Sequence, residues 1–563
     1  MKSIFFTIIL YCCSIAWAQQ PLKIGVLSDP HLHDIYPIDT TETLMPFYNS
    51  KANTYELVRS LESQMSSTRL FNENYFAFRQ ALSDLAAQNV KLVIISGDYT
   101  DDGQFLNVTA TDRLLSEYSD RYGMRFFITN GNHEAVNPID QEGGKTDFIT
   151  QQGQIIGVYS SAELLKNKKD IVYEPMRELG YESMYPLLKN YSLEPHPSDL
   201  FYTTPFHVFD YETYQYSTDT FILTHRKYEV KGTEYTDLTY LVEPVKDLWI
   251  LSIDGNMYNK LAESKFKNIS DGYHFIKERQ YLLDWIKMIV SEAKKRNKKL
   301  LAFGHYPILE FNNAQTLALE NLLGENQFQL NRVPTEETQI SFRNTGLPIH
   351  FAGHMHINQH GFLKKGENIL WNIQVPSLAA YPPAYKIVAI EKREYHIKTI
   401  ELREVKGYNT LFDLYKKVAN ESDFSDFFKA DNYYELTKSH LKYLSEHRFL
   451  NTDFADKKWD IYKNAINLRE IMDSDLKSKL SSNSLKVINN LDFKTIVFDL
   501  YLIRNGNDIG IKEIDQNRLK LYQEWSQAIS ASESQSNLDK LVLLIYQMYL
   551  NSIPTQYLKI EGN

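Results

Sequence analysis

Residues 126–134 read Phe-Phe-Ile-Thr-Asn-Gly-Asn-His-Glu, an apolar run that ends in a turn and then in polar side chains. The run 126–129 is aromatic and β-branched, which predicts a buried strand. Beyond its end, Asn132, His133 and Glu134 offer an amide oxygen, an imidazole and a carboxylate. Such donors, placed just past a strand, are the pattern expected at the functional edge of an α/β sheet.

The pattern recurs at four other predicted strands, each followed by side chains that can bind a metal. These strands and donors are residues 22–27 with Asp29 and His31, 92–96 with Asp98, 300–303 with His305, and 349–352 with His354 and His356. Such oxygen and nitrogen donors suit zinc, iron or manganese, and no thiolate stands among them to select a softer ion. Two adjacent cations repel unless a carboxylate lies between them, and Asp98 is well placed to be that carboxylate. The sequence therefore predicts two divalent or trivalent transition metal ions.

Helical patterns separate these strands. Apolar residues recur at intervals of three and four over residues 75–88, 112–122 and 279–295. Alternating strands and helices predict an α/β fold, because connections of this kind place the loops after the strands on one rim. We therefore expect donors that are far apart in the chain to meet at that rim.

Taken in order, the motifs resemble those of the calcineurin-like metallophosphoesterases, whose pattern is D-x-H, G-D, G-N-H-E or G-N-H-D, a single His after a strand, and G-H-x-H. The resemblance covers about residues 22–400. It implies a four-layer αββα sandwich over residues 19–404. It also implies a hydrolase that acts on phosphoric esters.

The resemblance implies a role for each motif residue. It assigns Asp29, His31 and His356 to one metal, Asn132, His305 and His354 to the other, and Asp98 to the bridge between them. His133 would remain free of metal and act as general acid, with Glu134 as the partner that orients it. The nucleophile would be a hydroxide that bridges both metals.

Within this superfamily the motifs favour a phosphodiesterase. Purple acid phosphatases carry Tyr where this chain has Asp101, and periplasmic 5′-nucleotidases end in a β-rich domain. Acid-sphingomyelinase-like phosphodiesterases share the D-x-H block, a helical C-terminal domain and a Val-Asn-Pro such as Val136-Asn137-Pro138. The cysteine framework of that branch, and the His that follows its G-D motif, are absent from this chain. A phosphomonoesterase, a cyclic-nucleotide phosphodiesterase and a catalytically silent metal-binding scaffold are the alternatives.

A long insertion, at about residues 138–247, is expected on the substrate side of the fold. Eleven tyrosines occur between residues 172 and 240. They would suit a small-molecule or lipid-headgroup phosphate ester if they line the cleft, and the alternative is that they pack against the sheet. Candidate substrate-binding residues are His33, Arg226 and Asn256, of which Asn256 is equally suited to contact the metal-binding loops.

The C-terminal third, residues 405–563, has apolar residues at helical spacing and few glycines or prolines. It predicts a mostly α-helical domain that docks on the catalytic one. The stretch Asn505-Gly506-Asn507 is expected to interrupt the helices with a turn.

Residues 1–18 combine a basic start, an apolar run and a small-residue cleavage site, which is typical of a secretory signal peptide. This segment predicts export. Both cysteines, Cys12 and Cys13, lie in it, so the exported chain would have no disulfide bond, which favours a bacterial periplasm or cell surface, or secretion. A lipoprotein anchor is the alternative. No later apolar run predicts a transmembrane helix. The net charge of −10 disfavours nucleic acid as a partner.

Overall fold

The computed structural model describes residues 21–37, 47–50, 53–274, 276–366, 368–392, 394–529 and 535–561. The predicted signal peptide and both cysteines lie outside these residues. Two large sheets, with helices against them, make up the first two thirds of the chain, and helices make up most of the remainder. This is the predicted fold class.

The first sheet has six strands, and its centre is parallel. Across the sheet the strands are Tyr557–Glu561, Glu394–Glu401, Ala384–Glu391, Leu22–Leu27, Leu92–Ile95 and Arg125–Ile128. The last three run parallel to one another. Their carboxyl ends therefore lie at one edge, where the loops that begin at Ser28, Ser96 and Thr129 emerge.

The second sheet has seven strands and a parallel centre of its own. Across this sheet the strands are His360–Lys365, Asn368–Gln374, Ile349–Ala352, Lys299–Gly304, Leu248–Ile253, Tyr240–Val245 and Phe201–Thr203. Four of them, from Asn368–Gln374 to Leu248–Ile253, are parallel neighbours. The two sheets share a core, and the Tyr240 hydroxyl donates to the carbonyl of Ile128 across it at 3.1 Å.

The predicted strands agree with the observed ones to within one residue at each end. Central strands such as Leu92–Ile95 and Ile349–Ala352 are buried along their whole length, which explains why their sequences are continuously apolar. The observed helices of this part are Leu61–Ser66, Asn74–Ala87, Phe105–Tyr122, Tyr181–Leu188, Gln280–Lys295, Thr316–Leu323 and Glu336–Asn344. The helix predicted at residues 112–122 begins earlier, at Phe105, because burial of Leu106 and Val108 outweighs the weak helical propensity of that turn.

The tyrosine-rich insertion packs onto the second sheet. Its strands Phe201–Thr203 and Tyr240–Val245 extend that sheet, and Tyr181, Tyr202 and Tyr240 are each at most 2% exposed. Three further small sheets are formed by Gly144–Ile149, Ile155–Tyr159 and Ile171–Val172, by Lys227–Val230 and Thr233–Thr236, and by Tyr258–Ala262 and Lys265–Asn268. Eight of the eleven tyrosines are buried, whereas Tyr216 is exposed, so most of them serve the core in the way that the packing alternative predicts.

Short helices follow the last long strand of the first sheet. Their bounds are Phe412–Val418, Ser425–Phe428, Tyr433–Leu444, Leu450–Thr452, Asp460–Lys463, Leu468–Ile471, Ser474–Lys479, Ser482–Ile488, Phe493–Gly506, Asp508–Glu513, Gln516–Ile529 and Asn537–Leu550. The predicted interruption is observed, since Asn507 has a φ of +50° between two helices. None of the described helices is long and apolar enough to cross a membrane.

A buried polar junction fixes the helical region to the segment that follows His356. The Gln359 amide donates to the carbonyls of Ile503 and Arg504 at 3.3 and 3.1 Å, and it accepts from Asn507 Nδ2 at 2.8 Å. Gln359 is 1% exposed. These bonds satisfy the end of the helix Phe493–Gly506 and set its position relative to the strand ends.

We predict that Gln359→Ala destabilises the protein by about 1–3 kcal/mol, because it leaves buried polar groups of the helix end without partners. Urea unfolding followed by circular dichroism measures this loss. Gln556→Ala is the matched control, since Gln556 is exposed, and its effect should stay within about 0.5 kcal/mol. Equal stability of the two variants would contradict the role of the junction.

Candidate metal centre

All seven predicted metal ligands meet where the parallel strands of both sheets end. Possible ligand atoms form three overlapping groups, and within each group the atoms lie within 4.8 Å of one another. The groups are Asp29, His31 and His356; Asp98, His305 and His354; and His31, Asp98 and His133. The first sheet supplies Asp29, His31, Asp98 and Asn132, and the second supplies the other three. The site therefore exists only where the two sheets are correctly packed.

The first ligand group surrounds His31. Its Nε2 lies 3.0 Å from Nε2 of His356 and 3.9 Å from Oδ1 of Asp29, and the same Asp29 oxygen is 3.4 Å from His356 Nε2. Both Asp29 and His31 are fully buried. Two imidazole nitrogens and a carboxylate oxygen that converge in this way could serve as three ligands of one metal ion.

The second ligand group surrounds His305. Its Nε2 lies 3.1 Å from Oδ1 of Asn132, 3.2 Å from Nδ1 of His354 and 3.2 Å from Oδ2 of Asp98. The other nitrogen of His305 lies 3.0 Å from the carbonyl of Ser96, which fixes the ring orientation. The geometry thus presents four donors around one point.

Asp98 joins the two groups. Its Oδ2 is 3.2 Å from His305 Nε2 in one group and 3.7 Å from His31 Nε2 in the other. Burial opposes the ionisation of this carboxyl, but His305 and His133 hold its pKa well below the usual range. An ionised carboxylate between two sets of imidazoles has the position that a bridging ligand requires.

The protonation of these donors fits a pair of transition metal ions. Burial lowers the pKa of His354 to about 4 and the pKa of His31 well below its usual value, so both rings are neutral and can donate a lone pair. Burial also opposes protonation of His305, but the Asp98 carboxylate raises its pKa to about 9. A cation between His305 and Asp98 would take the place of that proton.

The backbone at the ligands is itself unusual. Positive φ angles occur at Asp29 (47°), His31 (45°), Asp98 (48°), His354 (70°) and His356 (55°). Residues with a Cβ rarely adopt this region, and each such residue costs on the order of 1–3 kcal/mol. Five of the seven ligands carry this cost, which is the concentration of strain expected at a functional site.

Two glycines allow the ligands to approach one another. A methyl group at Gly353 would overlap the Ser28 hydroxyl and the Asp29 carboxylate, and one at Gly131 would overlap Asp98. The glycines of the G-N-H-E and G-H-x-H motifs are thus required by close packing of backbone against ligand, in addition to any turn geometry.

His133 belongs to neither of these two groups, although its ring lies within reach of His31 and Asp98. Its Nε2 is 3.9 Å from Asp98 Oδ2, and its side chain is 19% exposed. Its Nδ1 is in contact with Oδ1 of Asp102, which in turn contacts the Lys145 ammonium. Asp102 therefore orients the ring and leaves Nε2 toward the cleft.

The expectation that Glu134 orients His133 is wrong. Glu134 is fully buried and accepts from the Thr100 backbone N–H at 2.6 Å, from the Thr100 hydroxyl at 2.9 Å and from the Gly131 N–H at 3.1 Å. Burial, followed by the charge of Asp98, raises its pKa to about 8. Glu134 points away from the imidazole because it ties the loop after Asp98 to the loop that carries Asn132.

Sequence reasoning missed Asp102 and Asp271. Oδ1 of Asp271 lies 2.6 Å from Nε2 of His354, so that Nδ1 of the same ring faces Asp98 and His305. A carboxylate on the outer nitrogen of a metal-binding imidazole fixes its tautomer. The acidic pair Asp101-Asp102 after Gly97-Asp98 was a signal for the first residue, whereas Ser270-Asp271-Gly272 reads only as a turn.

The three candidate substrate-binding residues are all buried away from the cleft. His33 lies 3.0 Å from the carbonyl of Leu57, and burial lowers its pKa to about 4. Arg226 is fully buried and donates to the Leu193 carbonyl at 2.6 Å and to the Tyr202 hydroxyl at 3.0 Å. The prediction of substrate contacts is therefore wrong for both, because each residue satisfies a buried backbone carbonyl.

Asn256 takes the second of its two predicted roles. Its Nδ2 donates to the carbonyls of Gly131 and Glu134 at 2.9 and 3.2 Å, and its Oδ1 accepts from the Tyr306 hydroxyl at 2.7 Å. Asn256 thus braces the loop that carries Asn132 and His133, and it does not face a substrate.

A cleft of about 440 Å³ opens above the ligands. Asp98, Asn132, His133, His354 and His356 line its floor, and its walls come from residues 326–332 and from the helices Tyr433–Leu444 and Phe493–Gly506. Residues 138–247, all of them described, do not line it. Most aromatic side chains of this insertion are used in the core, whereas its Lys145 contacts Asp102 beside His133, and the placement of the insertion on the substrate side stays a prediction.

Comparisons with known proteins identify the family of this chain. The model of the family described as calcineurin-like phosphoesterase matches residues 22–358. Among curated proteins, no match was found. A solved structure of a dimetal phosphatase from Danio rerio is similar at 12% identity and a TM-score of 0.28, over 68% of this chain and 97% of that chain. The family model matches more than half of this chain, so the chain belongs to the calcineurin-like phosphoesterase family.

Proposed function

We propose that this protein hydrolyses phosphodiesters with two transition metal ions, zinc, iron or manganese, as cofactors. The residues that would hold them are Asp29, His31, His356, Asn132, His305 and His354, with Asp98 shared between the ions. The observation that carries the proposal is that two groups of these donors, one at His31 and one at His305, meet at one Asp98 oxygen at the floor of a cleft, with His133 beside them.

The ions, when bound, would supply Lewis-acid stabilisation of the phosphoryl oxygens and a template that aligns attacking and leaving groups. His133 supplies the proton. Its Nδ1 is held by Asp102, so a protonated ring presents its Nε2–H to the leaving alcohol oxygen at the cleft floor. Lys145 contacts the far oxygen of Asp102 and keeps that carboxylate in place.

The size and lining of the cleft suit a phosphate that carries two organic groups. Its volume of about 440 Å³ lies within the range of cavities that hold complete small-molecule ligands. The walls include Phe328, Phe449 and Tyr501 as well as several amide side chains, so organic groups on the phosphorus would have surfaces to contact. A monoester is the second candidate, and the substrate comparison below separates the two.

The function is tested with p-nitrophenyl esters on protein reconstituted with manganese, zinc or iron, with a chelated sample as control. We expect bis-p-nitrophenyl phosphate to be hydrolysed with a higher kcat/KM than p-nitrophenyl phosphate, and we expect chelation to abolish both activities. A preference for the monoester would move the assignment to a phosphatase. Turnover of neither ester with any metal would support a silent scaffold.

His133→Ala should lower kcat by about 10²–10⁴-fold and leave the metal content unchanged, because it removes a proton donor and no ligand. Steady-state kinetics and elemental analysis of the same preparations measure the two effects. His225→Ala, at an exposed histidine outside the cleft, is the matched control and should behave like the wild type. Loss of a metal ion from His133→Ala would show that His133 is a ligand.

We also propose that the protein is exported, on the pattern of residues 1–18. The compartment that fits best is the periplasm or surface of a bacterium, because the remaining chain has no cysteine for disulfide bonds. N-terminal sequencing of the native protein should begin at Gln19, and an intact Met1 would refute export by this signal.

A further inference from the structure

We propose that one organic arm of the substrate carries a second anionic group, a phosphate or a carboxylate, and that Arg504 binds it. This inference rests on the proposed function, since it names the substrate class of the same cleft. Arg504 belongs to the helix Phe493–Gly506 of the helical region and lines the cleft whose floor holds the metal-ligand candidates.

Arg504 is a buried cation with uncharged partners. It is 5% exposed, and its guanidinium donates to Gln329 Oε1 at 3.0 Å, to Asn505 Oδ1 at 3.3 Å and to the Phe328 carbonyl at 3.4 Å. Its Nε has no partner, and no carboxylate oxygen of the described residues lies within 4.0 Å of the group. Three of its five N–H donors are thus engaged, the Nε–H is buried, and one Nη1–H has no acceptor among the described residues.

Such burial is costly unless the charge is compensated. A buried guanidinium is normally paired with a carboxylate, because taking the charge out of water costs several kcal/mol. The nearby carboxylate of Asp453 is engaged by the Tyr501 hydroxyl. The Asp453 carboxylate still acts on Arg504 through its charge, but the two make no ion pair within 4.0 Å, and an anionic ligand in the cleft would bring a directly paired counter-charge.

Aromatic rings hold the guanidinium in place. Its central carbon lies 4.6 Å from the ring centroid of Phe328 and 5.9 Å from that of Tyr501. These ring contacts and the bonds to Gln329 and Phe328 hold the group in place, so the remaining Nη1–H can donate to one oxygen of a phosphate or carboxylate.

Two other arginines add positive charge to the same walls. Arg448 donates to the Ser66 carbonyl at 2.9 Å, and Arg332 Nε is 3.7 Å from Asp271 Oδ2. Arg69 also lines the cleft but is held by Asp101 at 2.6 Å. The walls thus carry the guanidiniums of Arg332, Arg448 and Arg504 against the carboxylates of Asp271 and Asp453, a surplus that favours an anion.

The position of Arg504 separates this subsite from the scissile phosphate. It lines the wall contributed by the helical region, while His133, His354 and His356 line the floor. A single ligand in this cavity can therefore place its scissile phosphate at the floor and a second anion at Arg504. The subsite is built from residues of the helical region and of residues 326–332, which gives the C-terminal helices a role in choosing the substrate.

The test uses the full chain without metal, so that anions cannot be held by bound cations. Isothermal titration calorimetry with inorganic phosphate and, separately, with succinate distinguishes the two anion classes. We expect at least one of them to bind to the wild type, and we expect Arg504→Gln to weaken that binding by about 10- to 100-fold, the loss of charge-assisted hydrogen bonds. Arg121→Gln, at an exposed arginine outside the cleft, is the matched control and should bind as the wild type does.

Absence of binding by the wild type, or equal binding by Arg504→Gln and Arg121→Gln, would overturn the proposal. If Arg504→Gln does not fold, as judged by circular dichroism, Arg448→Gln replaces it. Arg448 lies on the same wall at the surface, so we expect a weakening of about 3- to 10-fold there. No weakening in Arg448→Gln would then count against an anion subsite.

A kinetic comparison links the subsite to hydrolysis. The p-nitrophenyl ester of thymidine 5′-phosphate is compared with its 3′-phosphorylated form, and p-nitrophenyl butyl phosphate with p-nitrophenyl 3-carboxypropyl phosphate. In at least one pair, we expect the ester with the second anionic group to have a kcat/KM at least tenfold above that of the ester without it. In Arg504→Gln the two values should be equal. Anion binding without turnover of any ester would refute the proposed function alone, whereas turnover with a ratio of one in both pairs would refute the subsite alone.

Discussion

The structure depends on one buried carboxylate, Asp98, that lies between imidazoles from both sheets. Its Oδ2 is 3.2 Å from His305 and 3.7 Å from His31, and an anion in this position is stable only with positive charge beside it. The rest of the site follows from this requirement. The strands must end at one rim, the loops must adopt left-handed backbone at five ligands, and Gly131 and Gly353 must have no side chain.

Around this centre, a second layer of residues sets which atoms face the cleft. Asp271 fixes His354, Asp102 fixes His133, and Asn256 braces the loop that carries His133. The helical region completes the arrangement from the other side, because the junction at Gln359 places Arg504 and Tyr501 on the wall of the same cleft. The candidate metal centre and the cleft wall at Arg504 thus belong to different parts of the chain that are held together by a few buried polar bonds.

Much of this could be predicted because the signals are local. Each strand is a short apolar run followed at once by its donors, so the strands and the convergence of Asp29, Asp98 and His305 could be read residue by residue. The positions of Asp102 and Asp271 beside the histidines could not be predicted, because their partners are distant in sequence. Asp271 meets His354 across 83 residues, and nothing beside Asp271 marks it as more than a turn residue. Aromatic content likewise did not tell core from cleft, since Tyr202 and Tyr240 are amphipathic and suit either place.

Anomalous X-ray diffraction from crystals grown with manganese or zinc would show whether two metal ions share Asp98. We expect two anomalous peaks about 3.5–4 Å apart. Asp29, His31 and His356 should surround one peak, and Asn132, His305 and His354 the other, with an Asp98 oxygen at coordinating distance from both. A single peak, or two peaks with Asp98 at only one of them, would show that Asp98 does not bridge two ions.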